Sequence, residues 1–233
     1  MSPQELDKLI ASRPLPAVPA VKLKQIESAV VADLKPVRPL APAGVYVVAF
    51  AGIFVAACAI SWRYVLGQHG WEALSSLQRY LIFAPLIAAV VLLVFSIVRQ
   101  MTPAGKYTRV TALLAAGVFL LLLLLMTLIF HPVPEADFAY DALVCFRAGM
   151  LFAIPTGVLF WLLLWRSAAL SPSLTGATAG GLAGLTGLAV LEIHCPNLNV
   201  YHIVAAHVSV TLICALAGFV FSSVTFHRWT SNH

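Results

Sequence analysis

The sequence predicts an all-α fold: a polytopic membrane bundle of six transmembrane helices with a cytoplasmic N-terminal tail of two short amphipathic helices. Three observations carry that reading. First, six stretches are apolar enough to span a bilayer: Ala43–Trp62, Tyr80–Val98, Thr108–Phe130, Gly149–Trp165, Leu174–Leu191 and Ile203–Phe221. A hydrocarbon core of roughly 30 Å needs about 20 apolar helical residues. Second, the chain is 61% hydrophobic and 10% charged, with a mean hydropathy of +0.94. A water-soluble domain of that composition would expose much apolar surface. Third, the basic residues sort by connection.

Of the 14 basic residues, Lys8, Arg13, Lys22, Lys24, Lys35 and Arg38 precede the first span. Arg99, Lys106 and Arg109 lie in the second connection, Arg166 in the fourth and Arg228 after the last span. Only Arg63, Arg79 and Arg147 fall on the opposite side. Basic connections stay cytoplasmic, so both termini are expected inside, which requires an even number of spans. The net charge of +5 and pI of about 9.2 therefore reflect topology. The basic tail is interrupted by Glu5, Asp7, Glu27 and Asp33, a poor face for polyanions, so no direct nucleic acid binding is expected. Contact with membrane lipids follows from the spans, with a modest pull of the tail toward anionic lipid.

Two domains are expected, a tail over 1–42 and a transmembrane domain over 43–233. In the tail, Ser2-Pro3-Gln4-Glu5 reads as a capped helix opening, followed by Leu6, Leu9 and Ile10 on one face. The run Arg13–Pro19 contains three prolines and breaks that helix. A second stretch aligns Leu23, Ile26, Val30 and Leu34 and ends at Lys35-Pro36. The halves resemble a degenerate repeat, each followed by Arg-Pro-Leu, at Arg13–Leu15 and Arg38–Leu40. Isolated helices this short are marginal, so they should fold against a partner, with Leu6, Leu9, Ile10, Ile26, Val30, Leu34, Lys35, Pro36 and Arg38 as contacts. More than forty mostly polar residues precede the first apolar run, so that run is expected to act as a signal anchor.

Within the spans, Trp62, Tyr64, Tyr80, Tyr107, Trp161, Trp165, Tyr201 and Trp229 sit near ends, as interfacial anchors do. Pro85 and Pro155 fall inside the second and fourth spans, where each removes a backbone donor and is expected to kink its helix. Ser171-Pro172 opens the fifth. That span repeats Gly176, Gly180 and Gly184 on one helical face, the pattern of close packing at the bundle centre or at a homodimer contact. No span interior contains Asp, Glu, Lys or Arg, which ion pumps and proton-coupled carriers usually place there. The deepest titratable group is His207, expected to hydrogen-bond a neighbouring helix. No H-E-x-x-H, Walker loop, G-x-S-x-G or C-x-x-C occurs, so neither an enzyme nor a cofactor is expected.

Topology divides the four cysteines. Cys58 and Cys214 lie in spans as small packing residues. Cys145, just before the fourth span, and Cys195, in the fifth connection, fall on the extracytoplasmic side, where a disulfide or a redox-active thiol pair can form. Glu192, His194, Cys195 and His202 are metal-ligand types in one short loop, yet their spacing matches no standard zinc signature and no metal is predicted. Had one been, His194, Cys195 and His202 would be its candidates. Pro196 favours an extended Cys195, and Asn197 and Asn199 suit a turn that caps the sixth span.

Four segments in order carry a resemblance: Ala32–Leu40, Cys145-Phe146-Arg147, Leu170–Gly176 and His194–His202. Together they are similar to the NrsF family of six-span bacterial inner-membrane anti-sigma factors. The resemblance implies that the tail holds an extracytoplasmic-function (ECF) sigma factor at the membrane. It also implies that Cys145 and Cys195 correspond to paired outer cysteines that sense oxidative or heavy-metal stress. A small transporter or channel with a regulatory tail is the alternative class. A thiol oxidoreductase using the outer cysteines is a third, which no motif supports.

Overall fold

The computed structural model describes residues 20–33, 41–64, 68–101, 108–134, 137–165 and 171–231. The chain divides into two units, Met1–Pro39 and Leu40–His233. In the first, α1 spans Ala20–Asp33, a segment without proline or glycine, and both Leu23 and Ile26 stand exposed on it. Ser2–Ile10 lies outside the described residues, as do Leu34, Lys35, Pro36 and Arg38.

The second unit is built from helices joined by short connections, with no strand among its described residues. Its helices are α2 (Ala43–Tyr64), α3 (His69–Ala73), α4 (Ser76–Gln100), α5 (Thr108–Ile129), α6 (Phe138–Leu164) and α7 (Pro172–His194). The last span begins with α8 (Val200–His202), widens into a π-helical turn over Ile203–Val208, and continues as α9 (Ser209–Ser231). Six of these segments are long and apolar enough to cross a membrane. Local chemistry sets the starts. Ser75 and Gln78 form a reciprocal capping box on α4, and Pro172 opens α7 after Ser171. Pro85 and Pro155 both lie within continuous helices.

Most spans differ from the expected bounds by a few residues, and two of the differences bear on the site. The fourth span begins at Phe138 rather than Gly149, which puts Cys145 and Arg147 inside α6. Its first turns carry Asp141 and Arg147 at exposed positions, so a hydropathy pattern discards turns that the backbone keeps. The fifth span runs to His194, which moves Glu192 from a loop into the bundle. The bundle interior is therefore not free of carboxylate, a correction to the reading of uncharged spans.

The arrangement around α7 explains why its sequence is so rich in small residues. Every residue from Gly181 to His194 is buried, although α7 is the least apolar of the six spans. Lipid tails are as apolar as leucine, so association favours faces that let backbones approach, and small residues collect at the centre. Gly176 faces the Gly218 carbonyl and Ser222, Gly180 the Cys214 carbonyl, and Gly184 the backbone of Thr211. A Cβ on Gly187 would lie 2.6 Å from the Gly149 oxygen on α6. Leucines face outward instead, with Leu113, Leu120, Leu124 and Leu128 of α5 all exposed. At the N-terminal end of α7, Thr175 donates to Gln100 Oε1 at 2.8 Å, and Gln100 donates to Ser96 at 3.0 Å, tying α4 to the central helix.

Candidate functional site

At the opposite end of α7, four chain segments converge. Cys145 comes from α6, Glu192 from the last turn of α7, Cys195 from its C-cap, and His202 and His207 from the start of the last span. Cys195 is extended, with φ −81 and ψ 114, as the following proline requires. Its amide still donates to the Leu191 carbonyl at 2.8 Å, so the thiol hangs from a fixed helix end.

Asn199 holds the rest of this turn. Its side-chain oxygen accepts from the Tyr201 amide at 3.2 Å and caps α8, and it accepts from the Val133 amide at 3.4 Å. Its amide nitrogen donates to the Val133 carbonyl at 2.6 Å, and Val200 N–H donates to the His131 carbonyl at 3.3 Å. Asn197 accepts from the Asn199 amide at 2.9 Å. The connection between α5 and α6 is thereby clamped to the cysteine turn.

The side chains meet closely. Cys145 Sγ and Cys195 Sγ are 3.4 Å apart as free thiols, and Cys195 Sγ is 3.5 Å from His202 Nε2. His207 Nδ1 lies 2.7 Å from Glu192 Oε1, and the two are 1% and 3% exposed. His207 thus bonds a neighbouring helix as expected, and its partner is the carboxylate that the sequence reading had left in a loop. The His202 and His207 rings stand nearly perpendicular, with centroids 5.5 Å apart. One ligand atom from each of Cys145, Cys195, His202 and His207 fits within a sphere of mutual distances of 4.8 Å. Contact with the Cys145 sulfur, and then burial, raise the Cys195 thiol above the ordinary thiol range.

Walls of three kinds enclose the group. Ala153, Leu191 and Val210 form a small apolar cluster against Cys145, Phe146 and Met150. From another side α3 presses Gly70 onto the turn, where a Cβ would lie 2.7 Å from the Cys195 oxygen and 2.8 Å from that of Glu192. Trp71 beside it packs between Trp62 and Phe83 under the Arg79 guanidinium. Of the expected metal-ligand types, Cys195 and His202 join Cys145 here; His194, though buried, is outside the four. Cys58 is elsewhere; Cys214, also partly buried, packs on the same small apolar cluster and donates to the Met150 sulfur at 3.8 Å. Gly176, Gly180 and Gly184 belong to the α7–α9 contact. Of the tail contacts, Ile26 is exposed on α1 and Val30 lies on the same helix.

A family model described as NrsF, negative regulator of sigma F, matches residues 30–229. The chain belongs to the NrsF family. The match runs from α1 through the last span and includes every residue of the convergent group. Membership makes the chain a negative regulator of a sigma factor, and the family is regulatory rather than enzymatic. No curated protein and no solved structure matches.

Sequence reasoning missed His207 as a member of the group and Gly70 as its support; it named Glu192 among the ligand types and Asn199 as a cap, but not the pairing of Glu192 with His207 or the clamp of Asn199 on Val133. The histidines stand five residues apart. On an α-helix that spacing separates two side chains by roughly 140°. Only the π turn makes them neighbours, and no motif marks it.

Proposed function

We propose that this chain is a membrane-bound anti-sigma factor of the bacterial inner membrane, with both termini cytoplasmic. Its tail, residues 1–42, holds an ECF sigma factor away from core polymerase. Its six-helix body, residues 43–233, reports extracytoplasmic oxidative or heavy-metal stress through Cys145 and Cys195. The observation that carries the reading is the pair of half-buried free thiols 3.4 Å apart within a family of sigma regulators. The distribution of basic residues supports the sidedness, and the exposed Leu23 and Ile26 on α1 support a docking role for the tail.

The chemistry balances with a peroxide as oxidant. One thiol attacks the O–O bond and becomes a sulfenic acid with loss of water, and the second thiol displaces hydroxide to give the disulfide and a second water. A disulfide contributes about 2–4 kcal/mol, whereas a tenfold change in sigma affinity requires about 1.4 kcal/mol. Partial transmission to the tail is therefore enough. Heavy metals act on the same sulfurs by direct ligation.

The test uses the full-length protein in nanodiscs, mixed with cytosol from its own bacterium. A sigma factor is expected on the reduced protein, lost when Leu9, Ile26 and Val30 are changed to Asp. Peroxide should release it from the native protein but not from the Cys145→Ser/Cys195→Ser variant. Capture of no sigma factor by the native protein would refute the assignment.

A further inference from the structure

The two thiols are half of a larger set. We propose that Cys145 Sγ, Cys195 Sγ, His202 Nε2 and His207 Nε2 form a tetrahedral site for one thiophilic d10 cation, Zn2+ being the reference ion, with Glu192 orienting His207. This deepens the sensing part of the function proposed above and rests on it for its biological role, though not for its chemistry.

Geometry comes first. A tetrahedral ion with metal–sulfur bonds near 2.3 Å and metal–nitrogen bonds near 2.0–2.1 Å has ligand–ligand edges of about 3.3–3.8 Å. The mixed sulfur–nitrogen edge is already in place, at 3.5 Å from Cys195 to His202, and the sulfurs, 3.4 Å apart, need open by only about 0.4 Å. The longest separation in the set is under 4.8 Å, so a small inward movement closes the polyhedron.

The donors are also in the right form. Glu192 occupies His207 Nδ1 as a hydrogen-bond acceptor, which leaves the Nε2 lone pair facing the cluster. That nitrogen is buried and makes no hydrogen bond of normal geometry, the Cys145 thiol being the polar group it interacts with. A buried polar atom without a proper hydrogen bond is costly, and an ion in the cluster would satisfy it. A ligating histidine whose other nitrogen is held by a carboxylate is the usual outer-shell arrangement of zinc sites. Two thiolates neutralise a divalent charge, which suits a site walled by Ala153, Leu191 and Val210. Four protein ligands leave no open position, so the site is for binding rather than hydrolysis.

The backbone adds an independent observation. His202 and His207 share one ion only because Ile203–Val208 is a π-helical turn, in which residues five apart stack as residues four apart do in an α-helix. Were the turn to relax to α-helix, the two rings would point roughly 140° apart and could not meet at one centre. Ligation therefore holds the turn wide, and loss of the ion frees the start of the last span to rotate. That rotation cannot be absorbed locally, because α9 packs its backbone directly on Gly180 and Gly184 of α7. Peroxide acts on the same centre: two thiolates, one peroxide and two protons give one disulfide and two waters, and the ion is expelled. Oxidation and metal exchange thus converge on one structural event.

Purified full-length protein in detergent, reduced and stripped with a chelator, should be titrated with Co2+ alone. The expected result is one Co2+ per chain, with the intense visible absorption of a tetrahedral ion and a thiolate charge-transfer band, both erased by one equivalent of Zn2+. Cys145→Ser should remove most of the charge-transfer band. Glu192→Gln should weaken Zn2+ binding by about 10–100-fold while the Co2+ spectrum stays tetrahedral. A weak octahedral spectrum or less than half an equivalent bound to the native protein overturns the site. So does a native spectrum that persists in a folded His202→Ala/His207→Ala variant. The titration contains no sigma factor, so its failure leaves the anti-sigma assignment standing, and failure of sigma capture leaves the titration intact.

Discussion

Asn199 holds the cysteine turn more than any other single residue. Its side chain makes three hydrogen bonds, to both backbone groups of Val133 and to the Tyr201 amide, from a position 3% exposed to solvent. Asn199→Ala removes three part-buried hydrogen bonds, each worth about 0.5–1.5 kcal/mol, from the exposed residues Val133 and Tyr201. The thermal midpoint should fall, and mild oxidation should join Cys145 to Cys195 more slowly, because the turn no longer holds Cys195 in place. Asn199→Asp keeps both acceptor bonds and loses only the donor to Val133, so it should fall between the two. An alanine variant that oxidises at the native rate would show that Pro196 and the helix end suffice to place the thiol. At this scale the site was half legible. Cysteine sidedness singled out Cys145 and Cys195 because few residue types do redox or ligand chemistry. Glu192 was misplaced because a carboxylate paired inside a bundle has the same hydropathy as one in a loop. Gly70 gave no signal at all: its need for a missing side chain arises from two carbonyl oxygens far away in sequence.

Among the elements, α7 carries the bundle. Gly180 and Gly184 meet only backbone atoms of α9, and the nearest atom to Gly187 is a backbone oxygen of α6, so little around them can yield. Gly180→Ala would set a methyl group against the Cys214 carbonyl and should destabilise the protein by about 1–3 kcal/mol. Thermal unfolding in detergent checks this. Gly117→Ala on α5, where nothing lies within 4 Å, serves as the control and should leave the midpoint unchanged. Equal effects at both positions would mean that the α7–α9 contact is looser than the structure places it. The glycine repeat at four-residue spacing was readable because a helix stacks those positions on one face. The six spans were readable for the same kind of reason, length and apolarity fixed by the bilayer. Helix ends were less so, since Asp141, Arg147, Glu192 and His194 look like loop residues yet continue helices whose terminal turns leave the most apolar zone. The π turn over Ile203–Val208 was illegible, because apolar residues there satisfy either helical period.

For the molecule as a whole, the proposed signalling requires the two ends of the bundle to face opposite sides of the membrane in one orientation. The convergent thiols and histidines sit where α6 begins and α7 ends, the same end as the connection from His131 to Pro134, which Asn199 clamps to the cysteine turn. Eleven of the 14 basic residues lie in the tail, in the two connections at the other end and after the last span. The basic end should be cytoplasmic, so the thiol end should look out of the cell. Labelling decides this in a background where all four cysteines are serine. Pro134→Cys, on an exposed position of the clamped connection, should react with a membrane-impermeant maleimide in intact spheroplasts. Ser28→Cys, exposed on α1, should react only after lysis. The reverse pattern would put the sulfurs in the reducing cytosol, where glutathione keeps such a pair reduced and an extracytoplasmic oxidant could not reach it. It would also put the tail on the side that contains no sigma factor. Agreement of both probes with the expected pattern would leave the proposed sensing group and the proposed sigma-binding tail on opposite faces, so a stimulus would have to cross the bilayer through the packed helices, with α6, α7 and the last span all running from the thiol end to the other.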